Sequence, residues 1–128
     1  MRSRFTQLAK GLIRKRGQRN KNEAAYEVYL DSLKDSGSIV DYWFEPFSLR
    51  LSEADSGVAL RYTPDFMILA EDGIVYVDDI KAAKTKKGVA FDDPAAIIRI
   101  KAAADRYPLF VFRLVRPDRQ GGWEFKEI

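Results

Sequence analysis

Residues 62–84 read YTPDFMILAEDGIVYVDDIKAAK, and the fold follows from how this stretch pairs with itself. Two apolar runs, Phe66–Ala70 and Ile74–Ile80, are rich in β-branched and large apolar residues, the composition of strands. Glu71-Asp72-Gly73 separates them, a three-residue connection with glycine where a hairpin loop often needs a positive φ. A loop of three sets Ala70 opposite Ile74 and, counting back, Asp65 opposite Asp79. Side chains alternate along a strand, so Asp65, Met67 and Leu69 share one face, and Val75, Val77, Asp79 and Lys81 share a face of the other strand. Two carboxylates then stand with their Cβ atoms roughly 5 Å apart, where like charges destabilise a sheet. A bound divalent cation is the most economical remedy, because carboxylate oxygens are the ligands magnesium prefers.

Pro64-Asp65, followed by Asp79-Ile80-Lys81 at the end of the next strand, resembles the signature of the PD-(D/E)xK nuclease superfamily. Over most of its length the chain is similar to a small phage-borne branch of that superfamily, whose neighbours include Holliday-junction resolvases. The resemblance implies an α/β fold of restriction-endonuclease type, a mixed β-sheet flanked by helices. It also implies phosphodiester hydrolysis with Mg2+ or Mn2+. Asp65 and Asp79 would hold the metal, the backbone carbonyl of Ile80 would be a further ligand, and Lys81 would orient or activate the attacking water. The second acid of the signature is more often Glu. The shorter Asp79 would bring the metal closer to the backbone and bears on the choice between magnesium and manganese.

Composition narrows the chemistry. The chain has 128 residues, enough for one domain, and 46% are apolar, enough for a core. It has no cysteine and no histidine, which excludes disulfides, thiol catalysis, Ser/His/Asp triads and histidine-ligated metal. Acid–base work falls to carboxylates, lysine, tyrosine or a metal-activated water. No stretch is long and apolar enough for a membrane helix, and the basic start lacks the apolar core of a signal peptide, so a cytoplasmic location is expected, in a bacterial host if the gene is phage-borne. Residues 1–22 hold eight of the 22 Lys and Arg and no acid, leaving 14 basic against 19 acidic residues in the remainder. A basic arm on an acidic body suits a polyanionic partner.

Taken in order, residues 1–20 form that arm, with Phe5, Leu8, Leu12 and Ile13 at helical spacing and Arg14, Lys15, Arg16 and Arg19 placed for phosphate contact. A single nuclease domain is expected over 21–128. Asn20 to Ser36 predicts a helix, with Asn20 and Glu23 at capping-box spacing and Gly37 as its stop. Tyr26, Tyr29, Leu30 and Leu33 are its inner stripe. Glu23 falls on that stripe, where an acid needs a partner. The resemblance places a metal-site glutamate on the first helix, and Glu23 matches it; service to the helix N-terminus is the plainer alternative.

Residues 39–51 read as extended chain broken at Pro46, with Tyr42, Trp43, Phe44 and Phe47 assigned to core packing ahead of base stacking. Ser52–Gly57 is a polar turn. After Lys81 come Lys84, Lys86 and Lys87, a loop suited to a DNA backbone. Asp93 and Pro94 open a second helix to Tyr107, with Ile97, Ile100, Ala104 and Tyr107 inward and Lys101 near the stripe's margin, within reach of a phosphate. Leu109–Val115 is nearly all apolar and so an interior strand, reached by a parallel crossover, and Trp123–Ile128 is the last strand.

The expected activity is that of a Mg2+-dependent DNA endonuclease with Glu23, Asp65, Asp79 and Lys81 as its catalytic set, acting on branched or nicked DNA, as a dimer if incisions are paired. A non-catalytic DNA-binding protein with a degraded site, and a phage protein whose arm docks a partner, are the alternatives.

Overall fold

A computed structural model describes residues 18–52 and 60–128. The sequence features assigned to residues 1–17 and 53–59 lie outside the described residues. These include the amphipathic stretch, Arg14, Lys15 and Arg16, and most of the Ser52–Gly57 turn.

Helix α1 runs over Lys21–Asp35. Its start is chemically specified. The Asn20 side chain accepts from the Glu23 N–H at 2.8 Å, and the Glu23 carboxylate accepts from the Asn20 N–H at 2.8 Å, so the capping box satisfies two otherwise orphaned donors. The helix stops where Gly37 takes φ +80°, with the Gly37 and Ser38 N–H groups returning to the Lys34 and Leu33 carbonyls.

Five strands follow: β1 (Ile39–Phe44), β4 (Phe66–Ala70), β5 (Val75–Ile80), β6 (Val111–Pro117) and β7 (Trp123–Glu127), in the spatial order β1-β4-β5-β6-β7. The pairing is antiparallel except between β5 and β6. Helix α2 (Pro94–Arg106) lies between those two in the chain, as a parallel connection requires. Two short strands, β2 (Leu49–Arg50) and β3 (Arg61–Tyr62), form a separate ribbon. The expected mixed sheet flanked by helices is thus the observed architecture. Among the described residues, no helix is long and apolar enough to cross a membrane.

The hairpin register is the one that the loop length dictates. Phe66 pairs with Asp78, Met67 with Val77, Ile68 with Tyr76 and Leu69 with Val75. Gly73 sits at φ +90°, and its N–H reaches the Ala70 carbonyl at 3.0 Å. Extending that ladder by one step sets Asp65 level with Asp79.

The sheet has a core on each face. On one side Tyr26 and Leu30 of α1 pack with Ile39, Phe66, Ile68, Ile80 and Val115. The Tyr26 ring meets Phe66 at 5.5 Å and Trp123 at 4.9 Å, both edge-to-face. On the other side Ile100 and Ala103 of α2 pack with Val77, Phe112, Leu114 and the ribbon residues Leu49 and Tyr62. The packing assigned to the aromatic cluster holds for Tyr42 and Phe44 against Phe66 and for Phe47 stacked on Phe110 at 5.8 Å, while Trp43 is exposed. The strand boundaries shift slightly: β5 starts at Val75 rather than Ile74, β6 runs on to Pro117 rather than Val115, and β7 ends at Glu127 rather than Ile128. The expected start at Leu109 gives way to Val111, because the Phe110 N–H closes a turn onto the Tyr107 carbonyl and leaves Leu109 82% exposed.

Candidate active site

Four residues from three elements converge where β5 ends. Asp65 stands just before β4, Asp79 is on β5, Lys81 follows β5, and Glu23 is in the first turn of α1. The Ile80 N–H donates to Oδ2 of Asp65 at 2.7 Å, so the chain that carries Asp79 also holds Asp65. Lys81 is fixed by its own N–H, which donates to the Val115 carbonyl at 2.7 Å and continues the β5–β6 pairing. Its Nζ lies 3.0 Å from Oδ1 of Asp79. The Tyr62 hydroxyl donates to Oδ2 of Asp79 at 2.7 Å. Glu23 is buried, with one oxygen in the capping box, and its charge acts on Asp65.

The electrostatic consequence falls on Asp65. Its carboxyl is raised to about 8, first by burial and then by the neighbouring charge of Asp79, against the lowering effect of the Ile80 N–H. Glu23 adds to the rise through its charge. Tyr62 is held far above the usual phenol range, first by burial and then by Asp79, so it remains a donor.

Among the described residues, no group of three or more metal-ligating side chains is arranged to hold an ion as it stands. Both oxygens of Asp79 are engaged, by Lys81 and Tyr62. The donor chemistry nevertheless fits a hard divalent cation: oxygen ligands only, and a carboxyl raised to about 8 by burial and by two neighbouring acids. Asp65, Asp79 and Glu23 are the residues that would hold it.

The cationic residues assigned to DNA are placed unequally. Lys86 and Lys87 are exposed on the loop after β5, and Lys101 is exposed on α2. Lys84 pairs with Glu124 at 2.6 Å. Arg19 forks onto Glu27 at 2.7 and 3.2 Å, with its guanidinium 4.2 Å above the Phe44 ring. Tyr42 also donates to Glu27 and to Asp31, so these two acids of the outer α1 face are tied to neighbours.

Three partners were not legible from motif spacing. Tyr62 anchors Asp79 but carries only an ordinary strand signature. Asp78, adjacent to Asp79, is fully buried and takes two bonds from Arg113 at 2.8 Å and one from Tyr26. Arg116 donates to the Ala82 carbonyl and forks onto Asp92. An arginine in an otherwise apolar strand was the available signal for both ion pairs.

No protein-family model and no curated protein sequence matches the chain. Among solved structures it is similar to the Holliday junction resolvase Hjc of Archaeoglobus fulgidus, with a TM-score of 0.49 and 13% identity over 81% of this chain and 74% of that one. It is also similar to SSO0001, with a TM-score of 0.48 and 17% identity over 82% of this chain and 49% of that one.

Proposed function

We propose that this chain is a divalent-metal-dependent DNA endonuclease of the PD-(D/E)xK type. The observation that carries the reading is the meeting of Glu23, Asp65, Asp79 and Lys81, from distant parts of the chain, around a carboxyl pushed up to about 8. Placing negative charge on that buried carboxyl costs the fold stability, and a bound cation relieves the cost.

Asp65, Asp79 and Glu23 supply the oxygens for one Mg2+ or Mn2+, and the Ile80 carbonyl is within the same segment. The bound ion would lower the pKa of a water and neutralise charge growing on the scissile phosphate. Lys81, held by Asp79, presents its ammonium to that water or to the phosphate oxygens and works as a charge. Tyr62 keeps the Asp79 carboxylate turned toward Lys81. Lys86, Lys87 and Lys101 meet the DNA backbone, joined by Arg14, Lys15, Arg16 and Arg19 from the arm.

The substrate of this reading is branched or nicked duplex DNA, cut by a dimer where incisions are paired, in phage DNA recombination inside the bacterial cytoplasm. A second reading, a DNA-binding protein that no longer cuts, draws on one observation: both oxygens of Asp79 are already engaged. A panel of supercoiled plasmid, linear duplex, single strand and four-way junction, incubated with Mg2+, Mn2+ or EDTA, separates the two. The nuclease reading expects EDTA-sensitive cleavage that Asp65→Asn or Asp79→Asn abolishes while DNA binding persists. Full cleavage by either variant refutes the mechanism, and binding without cleavage in either metal favours the second reading.

A further inference from the structure

The loop from Lys81 to Asp93 is closed at its neck by a single side chain. Arg116 of β6 is 5% exposed. Its Nη1 donates to the Ala82 carbonyl at 3.0 Å and to Asp92 at 3.1 Å, and its Nη2 donates to Asp92 at 2.7 Å. One guanidinium thus joins the residue after Lys81 to the residue before the α2 cap. Inside the loop, Thr85 organises a turn. Its N–H reaches the Val89 carbonyl at 2.9 Å, its carbonyl accepts from Gly88 at 2.8 Å, and its hydroxyl accepts from the Val89 N–H at 3.1 Å. The segment is therefore a compact loop with its ends held together.

Such loops usually pack their own apolar side chains inward. This one turns them out. Phe91, next to the clamped Asp92, is 83% exposed, and Val89 is 45% exposed. Lys86 and Lys87 lie on the same loop and are exposed. A contiguous apolar patch is the surface that protein partners cover, but here one exposed aromatic ring shares a closed loop with two exposed lysines. That combination fits a nucleic acid whose base is out of its stack: the base lies on the ring and the flanking phosphates meet the lysines. Bases within an intact duplex have no free face to offer.

We infer that the Arg116-clamped loop recognises interruptions in DNA, with Phe91 stacking on an unpaired base and Lys86 and Lys87 on the adjoining phosphates. This rests on the nuclease reading and sharpens it: the loop starts at Lys81, so a base held by Phe91 places a break or branch beside the candidate site.

The test measures binding of the full chain by fluorescence anisotropy in EDTA. The probes are an intact duplex, a gapped duplex, a single strand and a four-way junction, each with 2-aminopurine at the interruption or its equivalent position. The wild type is expected to prefer the interrupted forms. Phe91→Ala is expected to lose roughly 5- to 150-fold on those forms, the size of one base–aromatic stack, with intact-duplex affinity and thermal unfolding unchanged. Phe91→Trp should restore the preference, with its fluorescence quenched by the bound base. Replacing Lys86 and Lys87 with Ala should weaken all forms alike and flatten the salt dependence. Equal losses on every form, no loss, or a change of oligomeric state in Phe91→Ala overturns the inference. A wild type that cleaves with dependence on Asp65 but shows no preference defeats the loop assignment alone. One that binds none of the probes defeats the nuclease reading with it.

Discussion

Asp78 and Asp79 are consecutive in the chain and face opposite sides of the sheet. Asp78 points into the α1 face, fully buried against Tyr26 and Arg113, while Asp79 points to Tyr62 and Lys81. Burial raises the Asp78 carboxyl from its ordinary range, with Arg113 and Tyr26 opposing the rise. The Arg113 guanidinium is further enclosed by the rings of Tyr76 and Phe125 at 4.0 and 4.6 Å. Breaking a buried pair costs about 3–5 kcal/mol because it strands the remaining charge. Asp78→Ala should therefore lower the unfolding free energy measured in urea by that much, whereas Asp79→Asn should leave it nearly unchanged. Replacing the pair together, Asp78→Leu with Arg113→Met, should recover most of the loss.

Tyr62 gives the shorter acid a fixed direction. Tyr62→Phe keeps the ring in its buried place among Leu49, Ile100 and Ala103 and removes only the hydroxyl. The expected result is a fold that melts close to the wild type and a divalent-cation affinity reduced about 10- to 100-fold, the usual cost of losing a group that orients a ligand. Calorimetric titration with Mg2+ and Mn2+ measures it, and unchanged affinity would remove the role given to Tyr62.

Glu23 serves two structures at once, the capping box and the acidic cluster. Glu23→Gln retains an oxygen for the Asn20 N–H and removes the charge beside Asp65. Stability should hold or rise, and the Asp65 carboxyl should titrate below about 8 when followed by NMR. Glu23→Ala should cost about 1 kcal/mol, the size of a lost cap. Both variants should lose cleavage, which separates the two roles.

Asp65 makes the metal-free protein sensitive to pH in a direction opposite to most carboxylates. Its folded value of about 8 lies above the ordinary 3.8, so between those limits the folded state binds a proton that the unfolded state has released. Stability from this group is full below the ordinary value and is lost as pH rises toward about 8. Asp92, held low by Arg116, acts the other way, and only as pH falls below the ordinary carboxylate range. The melting temperature should thus decline between about pH 5 and 8 in EDTA. Asp65→Asn should flatten that decline, and added Mg2+ should reverse it.

What the sequence determined by itself was local or periodic. Loop length and Gly73 set the register that aligns Asp65 with Asp79, since a one-residue slip would exchange every side chain between faces. Asn20, Glu23 and Gly37 set both ends of α1, and Asp93 with Pro94 set the start of α2, because caps are satisfied within a few residues. Tertiary structure alone decided which charges are occupied. Arg19 and Lys84 read as DNA contacts in the sequence, and only the fold brought Glu27 and Phe44 to the one and Glu124 to the other. The hydroxyl that holds Asp79, the pair that buries Asp78 and the guanidinium that closes the loop after Lys81 join residues 17 to 52 positions apart. Such contacts depend on how the elements pack, because only packing excludes the water that would otherwise satisfy each of those groups.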